Sequence, residues 1–367
     1  MDAYERLYAA VYLQDYDRPP FSDNEWNEML AEMVPHFTSC APRADRKYSE
    51  RERARAVRAS MDMVPWSHIY DHPRYPILGE IPSSHGGERL TDADGFVRVT
   101  YGFTEWIERR PFSNLRGFLS FLERKTERAR HDTPLLPPDF EPRLRHAREM
   151  LPDTPIAMPY LGAELDGLYQ LAGWDIFGPA VTEEPEAIAE YLSVRADRTV
   201  KLVHQYAEYL TARDCPVALG AYSDIAYNNG LLLSPRFLRF ALKPAVAKIV
   251  TAYHEHGLKV IYHSEGNIRQ FLDDLVEAGV DGINPLSPSE NMDPVEIRRL
   301  YPKLILWGGI DERAVLAHGT PEEVRREVQR VVTGVGRGLI LGSTGGVHPA
   351  CRPENLIAMI EALHEMA

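Results

Sequence analysis

From residue 155 onward the chain alternates short runs rich in Val, Ile and Leu with longer stretches of helical period, and this alternation restricts the fold more than any other feature. The runs are PIAMPYLG, PVALGAYSD, LKVIYHS, VDGINPL, LILWGGID and GLILGST. Between them lie segments such as PEAIAEYLSVRADRTVKLVHQYAEYLTARD and PRFLRFALKPAVAKIVTAYHEHG. Strands buried on both faces read as continuous apolar runs, and intervening helices make the crossovers that parallel strands need. Two closures satisfy such a pattern: an open doubly wound sheet and a closed (β/α)8 barrel. The ends of the runs favour the barrel, because each finishes in polar residues: Tyr160 and Glu164, Asp224, His263 and Glu265, Asn284, Asp311, then Ser343, Thr344 and His348. A barrel gathers them on one C-terminal face, whereas an open sheet spreads them along an edge of ~30 Å. Neither GGID nor GSTGG has the glycine spacing of a dinucleotide-binding turn. The predicted fold is therefore α/β, a (β/α)8 TIM barrel with additional N-terminal helices and long covering loops. One domain spans 1–367, of which roughly the first 150 residues form the helical and loop-rich part.

That first part is irregular. Helices are expected over Asp23 to Phe37 and Ser49 to Val64, then a Pro, Gly and His-rich passage runs from Pro65 to Gly87. Another helix, FSNLRGFLSFLERKTERARH, stops at the proline-rich TPLLPPDFEP. The aromatic stretches WSHIYDHPRYP and VTYGFTEWIERRPF either line an apolar pocket or pack as core and lid. His68 and His72 stand four apart, but Pro65 and Pro73 bracket them too closely for a dependable helix.

Charge narrows the partners. The 41 basic and 54 acidic residues leave a formal charge of -13, which disfavours nucleic acid and anionic membrane surfaces. Cys40, Cys215 and Cys351 are too few and scattered for a disulfide framework, so the chain reads as cytoplasmic. The N-terminus lacks the basic start and apolar core of a signal peptide, and no apolar run approaches the ~20 residues of a membrane span. A homo-oligomer is compatible with all of this.

Among the polar strand ends, YHSEGNI carries the most chemistry. His263 and Glu265, two apart after a strand, either supply two ligands to a cation such as zinc or act as a proton-transfer pair. The competing reading is a helix start, capped by Ser264 or Asn267 with Glu265 at its positive end. Asp224, in AYSDIAYNNG, either presents a carboxylate to substrate or closes an Asx turn. Asp311 either shapes the pocket or caps the next helix, while Thr320 to Glu323 read as a cap, a first-turn proline and first-turn acids. In GSTGGVHPACRPENL, His348 and Cys351 either ligate a metal or pack a loop, and the glycines match no phosphate-binding spacing.

In order along the chain, DYDRPPF, SDIAYNNGLLLSPRFLRFALKPAVAKIV, GLKVIYHSEGNIRQFLDDLVEAGVDGINPL, LILWGGIDERAVLAHGTPEEVRREV and the ending RPENL resemble the uroporphyrinogen decarboxylase superfamily, strongly from about Pro155 and thinly before it. The resemblance implies a (β/α)8 barrel with its site at the C-terminal face. It also implies one of two activities, porphyrinogen decarboxylation or methyl exchange with a corrinoid, usually carried by a partner protein. The arginine-rich N-terminal signature of the decarboxylases is missing, and HSEGNI with VDGINPL looks closer to the methyltransferase side. Thiol-methylating members there bind zinc through His-x-Cys and a later Cys. His263 matches the first ligand, Glu265 stands in place of the Cys, and Gly345 stands where the last Cys, or a decarboxylase His, would be. A metal held by His263 and Glu265 would need a third ligand from Asp224, His348 or Cys351.

The expectation is a methyltransferase that moves a methyl group between a small O-methyl or N-methyl substrate and a corrinoid (cobalamin), with zinc assistance. His263, Glu265 and Asp224 are its catalytic residues; Tyr160, Glu164, Asn284, Asp311 and His348 bind or orient substrate. The rivals are a corrinoid-free decarboxylase or lyase acting on a carboxylated substrate, and a non-catalytic barrel that binds a tetrapyrrole or corrinoid.

Overall fold

The six apolar runs become strands because each is buried on both faces. The computed structural model describes every residue except 24–28, 71–75, 81–86 and 102–103. In it, Leu161–Gly162, Val217–Tyr222, Lys259–His263, Gly282–Asn284, Ile305–Ile310 and Leu339–Ser343 lie side by side in one parallel sheet, in chain order.

Three further contacts close the sheet. Ile156–Ala157, just before Leu161, pairs in parallel with Val64–Pro65. The Asp62 N–H donates to the Phe21 carbonyl at 2.8 Å. Phe21 in turn bridges Leu341 in parallel, with hydrogen bonds of 2.9 and 3.0 Å on either side. The ring is therefore an eight-stranded barrel whose first two strands are the short segments 20–22 and 62–65. Both fall in the half read as helices and loops. The helix expected over Ser49 to Val64 ends earlier, at Glu50–Ser60, and the chain turns extended to enter the barrel. Of the helix expected from Asp23, the described part is Leu30–Phe37; His72 lies outside the described residues.

Side chains alternate along the strands, and the inward set forms its own cluster: Met63, Ala157, Val217, Leu219, Ile261, Ile305, Trp307 and Ile340. Leu7 and Val11, from the N-terminal helix Ala3–Val11, join that cluster and so plug the barrel from below. Trp307 is 1% exposed, and its indole N–H donates to the Ser22 carbonyl at 2.8 Å, tying the sixth apolar run's neighbour to the first strand. Above this packed layer the next inward positions are polar. His263 stands two residues beyond Ile261, and the site begins there.

Outside, the helix Pro185–Ala207 packs on Lys243–Glu255, and Pro321–Val335 on Pro353–His364. Thr320 caps the helix Pro321–Val335 as expected and, with Glu323 reaching back to its N–H, completes a capping box. The first half also holds a three-stranded antiparallel sheet, Arg89–Thr91, Val97–Tyr101 and Thr104–Arg109, which the helix-and-loop reading did not contain. The aromatic stretches divide between roles. Phe112 joins Phe96, Phe118 and Phe121 in a packed cluster, and Trp66 lies buried on Phe140, whereas Trp106 is 63% exposed.

Candidate active site at the C-terminal mouth of the barrel

YHSEGNI leaves the barrel as a sharp turn, and of the two expected capping residues only Asn267 meets the following helical turn, its Oδ1 accepting the Arg269 N–H at 3.2 Å. Ser264 does not cap: its hydroxyl accepts from the Ile225 N–H at 3.1 Å and binds the turn to the neighbouring loop. Gly266 has φ +84°, and a β-carbon there would lie 2.8 Å from the backbone of Ala226 and Tyr227. Only glycine satisfies both conditions. Gly266→Ala is therefore expected to destabilise the protein by about 2 kcal/mol or more, read as a lower urea midpoint.

The turn brings four residues together. The His263 ring places Nδ1 2.6 Å from Oδ1 of Asn284, whose amide nitrogen donates to the Trp307 carbonyl at 3.3 Å. On the other side, His263 Nε2 stands 4.0 Å from Oδ1 of Asp224. That same oxygen accepts the Glu265 backbone N–H at 2.9 Å. The sequence candidates His263, Glu265, Asp224 and Asn284, from three adjacent strand ends, thus form one constellation.

A wall of aromatic rings continues from it. Tyr222 lies 6.5 Å from His263 and 6.5 Å from Tyr160, which is 6.1 Å from His68. Tyr222 turns this way because of a bulge: Leu161 and Gly162 pair with Gly220 and Tyr222, so Ala221 is extra and adopts φ 55°. The opposite wall is acidic. Glu290 is buried, accepts the Gly266 N–H at 3.2 Å and meets Arg313 at 3.3 Å. Buried Glu312 meets Arg313 at 3.0 Å and accepts the Thr344 hydroxyl. A β-carbon at position 345 would lie 3.1 Å from a Glu312 carboxylate oxygen and 3.4 Å from one of Glu265. Gly345 has no positive φ, so its lack of a side chain is a matter of room.

Electrostatics follow from that packing. Burial, then the charges of Asp224, Glu290 and Glu312, push the Glu265 carboxyl up to about 8; Arg313 opposes them. Glu290 is raised by burial against the pull of Arg313. Burial and then Asp224 also raise Asp166, which accepts the Ser223 hydroxyl at 2.7 Å. Near neutral pH, Glu265 is therefore a protonated acid at the barrel mouth.

The remaining candidates have structural partners. Glu164 pairs with Arg195 at the start of the helix Leu165–Ala172. Asp311 caps the π-helical turn Glu312–Ala317, accepting from the Arg313 and Ala314 N–H groups at 3.0 and 2.7 Å. His348 accepts the Ala350 N–H at 3.2 Å within its own turn. The Cys351 thiol, buried over the Glu312 carbonyl, is pushed up to about 11 by burial. Among the described residues no three His, Cys, Asp or Glu side chains stand together as a set able to hold a metal ion. The sequence reading missed Glu290, Glu312, Asp166 and Tyr222. Glu312 directly follows Asp311 in GGIDER and was open to inspection, while Glu290 lies in SPSENMDP with nothing local to mark it.

A closed parallel barrel with converging polar groups at its C-terminal end defines the class of (β/α)8 proteins that place their sites there. The sequence profile of the uroporphyrinogen decarboxylase (URO-D) family matches residues 180–366, and the chain belongs to that family. Curated relatives include the uroporphyrinogen decarboxylases of Pseudoalteromonas translucida (strain TAC 125), 29% identical over 174 residues, and of Alkalilimnicola ehrlichii (strain ATCC BAA-1101 / DSM 17681 / MLHE-1), 27% identical over 192. These alignments cover 46% and 50% of this chain and 47% and 48% of the relatives, so the chain spans about half the length of the curated relatives it matches. A solved structure described as a methyltransferase from Methanosarcina mazei superposes over 100% of this chain and 99% of its own, with a TM-score of 0.63 at 16% identity. At that identity the likeness is one of fold. No helix among the described residues is long and apolar enough to cross a membrane.

Proposed function

We propose that this protein transfers a methyl group between a small O-methyl or N-methyl substrate and a corrinoid carried by a partner protein. The observation that carries the reading is Glu265, an acid held protonated to about pH 8 beside an oriented imidazole and a carboxylate. An ether oxygen leaves methyl as an alkoxide or phenoxide unless it is protonated, and a positioned acid of that strength delivers that proton; an amine that arrives as the ammonium ion leaves as the neutral amine and needs none. Asp224 and His263, 35% and 23% exposed in their side chains, leave the mouth open to a large group presented from outside. A bound corrinoid would supply the nucleophile that accepts the methyl group. Asn284 orients His263, and no part of the reading runs through a metal.

A corrinoid-free decarboxylase is disfavoured by charge. Asp224, Glu290 and Glu312 face the site beside the protonated Glu265, and Arg313 pairs with the last two of the three carboxylates, so a substrate with several carboxylates meets an excess of negative charge. The deciding experiment mixes the anaerobically purified protein with cob(I)alamin and a panel of methoxy-aromatics and methylamines. Methyl-cobalamin should appear in the corrinoid spectrum, and its absence across the whole panel would count against the proposal.

A further inference from the structure

We propose that His263 Nε2 and Asp224 Oδ1 form a seat for a protonated amine carrying at least two N–H groups. The inference takes its reaction from the reading above and specifies the amine substrates within it, N-methyl ammonium ions that leave as neutral amines without a proton from Glu265; the binding it describes stands on geometry alone.

The geometry begins at Asn284. A carbonyl oxygen has no proton, so the Asn284 group 3.3 Å from the Trp307 carbonyl is its NH2, which turns Oδ1 toward His263. That oxygen only accepts, so His263 Nδ1, at 2.6 Å, carries the N–H. In the neutral ring Nε2 then holds a lone pair. It faces Asp224 Oδ1 at 4.0 Å, too far for a direct hydrogen bond, and both atoms are acceptors. No lysine or arginine among the described residues pairs with Asp224, and both side chains are partly open to solvent.

Two acceptors facing one another define what fits between them. A nitrogen at about 2.85 Å from each sees them at an angle of about 90°, within reach of two N–H bonds of a tetrahedral ammonium. An ether oxygen has no proton to offer, and a carboxylate would meet Asp224 as a like charge. The Tyr222 ring stands 6.5 Å from His263 on the same side of the mouth, nearly perpendicular to the imidazole.

The test uses the full chain and calorimetric titration with dimethylammonium, trimethylammonium and tetramethylammonium chlorides, which hold charge constant while removing N–H groups. Dimethylammonium should bind at least about tenfold more tightly than tetramethylammonium, and Asp224→Asn should abolish that preference. Equal affinity for the two ions, or a preference untouched by Asp224→Asn, overturns the seat. Nitrogen-15 spectra of the unaltered protein give a second reading: dimethylammonium should shift the His263 Nε2 signal, and an Nε2 already carrying the proton in the free protein would also overturn it. Ammonium binding without methyl transfer would sink the methyltransferase reading and leave the seat standing. Methyl transfer from ethers, with no ammonium bound, would do the reverse.

Discussion

Glu265→Gln is expected to lower turnover of an O-methyl substrate by about 10²- to 10⁴-fold, and of an ammonium substrate far less, while making the protein more stable above neutral pH. The two effects have opposite signs because they share one cause. Burial and neighbouring carboxylates raise the Glu265 carboxyl from its ordinary 4.5 to about 8. Below pH 4.5 both the folded and unfolded forms hold the proton, and the group is neutral to stability. Between pH 4.5 and about 8 the unfolded chain releases it while the folded protein keeps it, so stability falls as pH rises through that window. Glutamine cannot ionise, and the variant escapes the loss. After allowance for partial exposure, the gain at pH 8 to 9 is about 1–3 kcal/mol, visible as a raised denaturant midpoint that vanishes below pH 4.5. Wild-type turnover should likewise decline above pH 8 as the acid empties. A variant with unchanged turnover would remove Glu265 from the chemistry, whatever its stability.

Asp62→Ala is expected to cost about 3–5 kcal/mol. Asp62 is 3% exposed and accepts from Arg6 at 2.5 Å, Arg18 at 2.6 Å and the Phe21 N–H at 2.8 Å. Its backbone N–H meets the Phe21 carbonyl, so the residue joins the first two strands and anchors the helix that plugs the barrel floor. Removing the carboxylate leaves the Arg18 guanidinium and the Phe21 N–H without this acceptor, and Arg6 with Asp17 as its remaining carboxylate, in a place water reaches poorly. Urea unfolding measures the loss. Asp153→Ala is the control: its side chain is 71% exposed beside Arg58, and its removal should change stability by no more than about 0.5 kcal/mol.

The barrel was legible from residue 155 on because buried parallel strands write themselves as runs of Val, Ile and Leu. Segments 20–22 and 62–65 were not. PPFS and DMVP are too short to show a period, and each becomes a strand only by pairing with a partner far along the chain, Leu341 in one case and Ile156 in the other. The same limit governs the site. His263, Asp224 and Asn284 each follow an apolar run and announced themselves. Glu290 and Glu312 come from short helical turns beyond two strand ends and reach Glu265 only once the barrel has closed, so the acid strength of Glu265 had no local signature.

By itself, then, the sequence determined the parallel architecture, the end of the barrel at which chemistry gathers, and the residue types available there, since strand periodicity and polar strand ends are properties of neighbours along the chain. Tertiary structure decided the rest: ring closure through Asp62 and Phe21, the tautomer of His263 through Asn284, and a protonated Glu265. Each depends on desolvation and on charges or hydrogen bonds brought together across the fold, and no short stretch of sequence contains those distances.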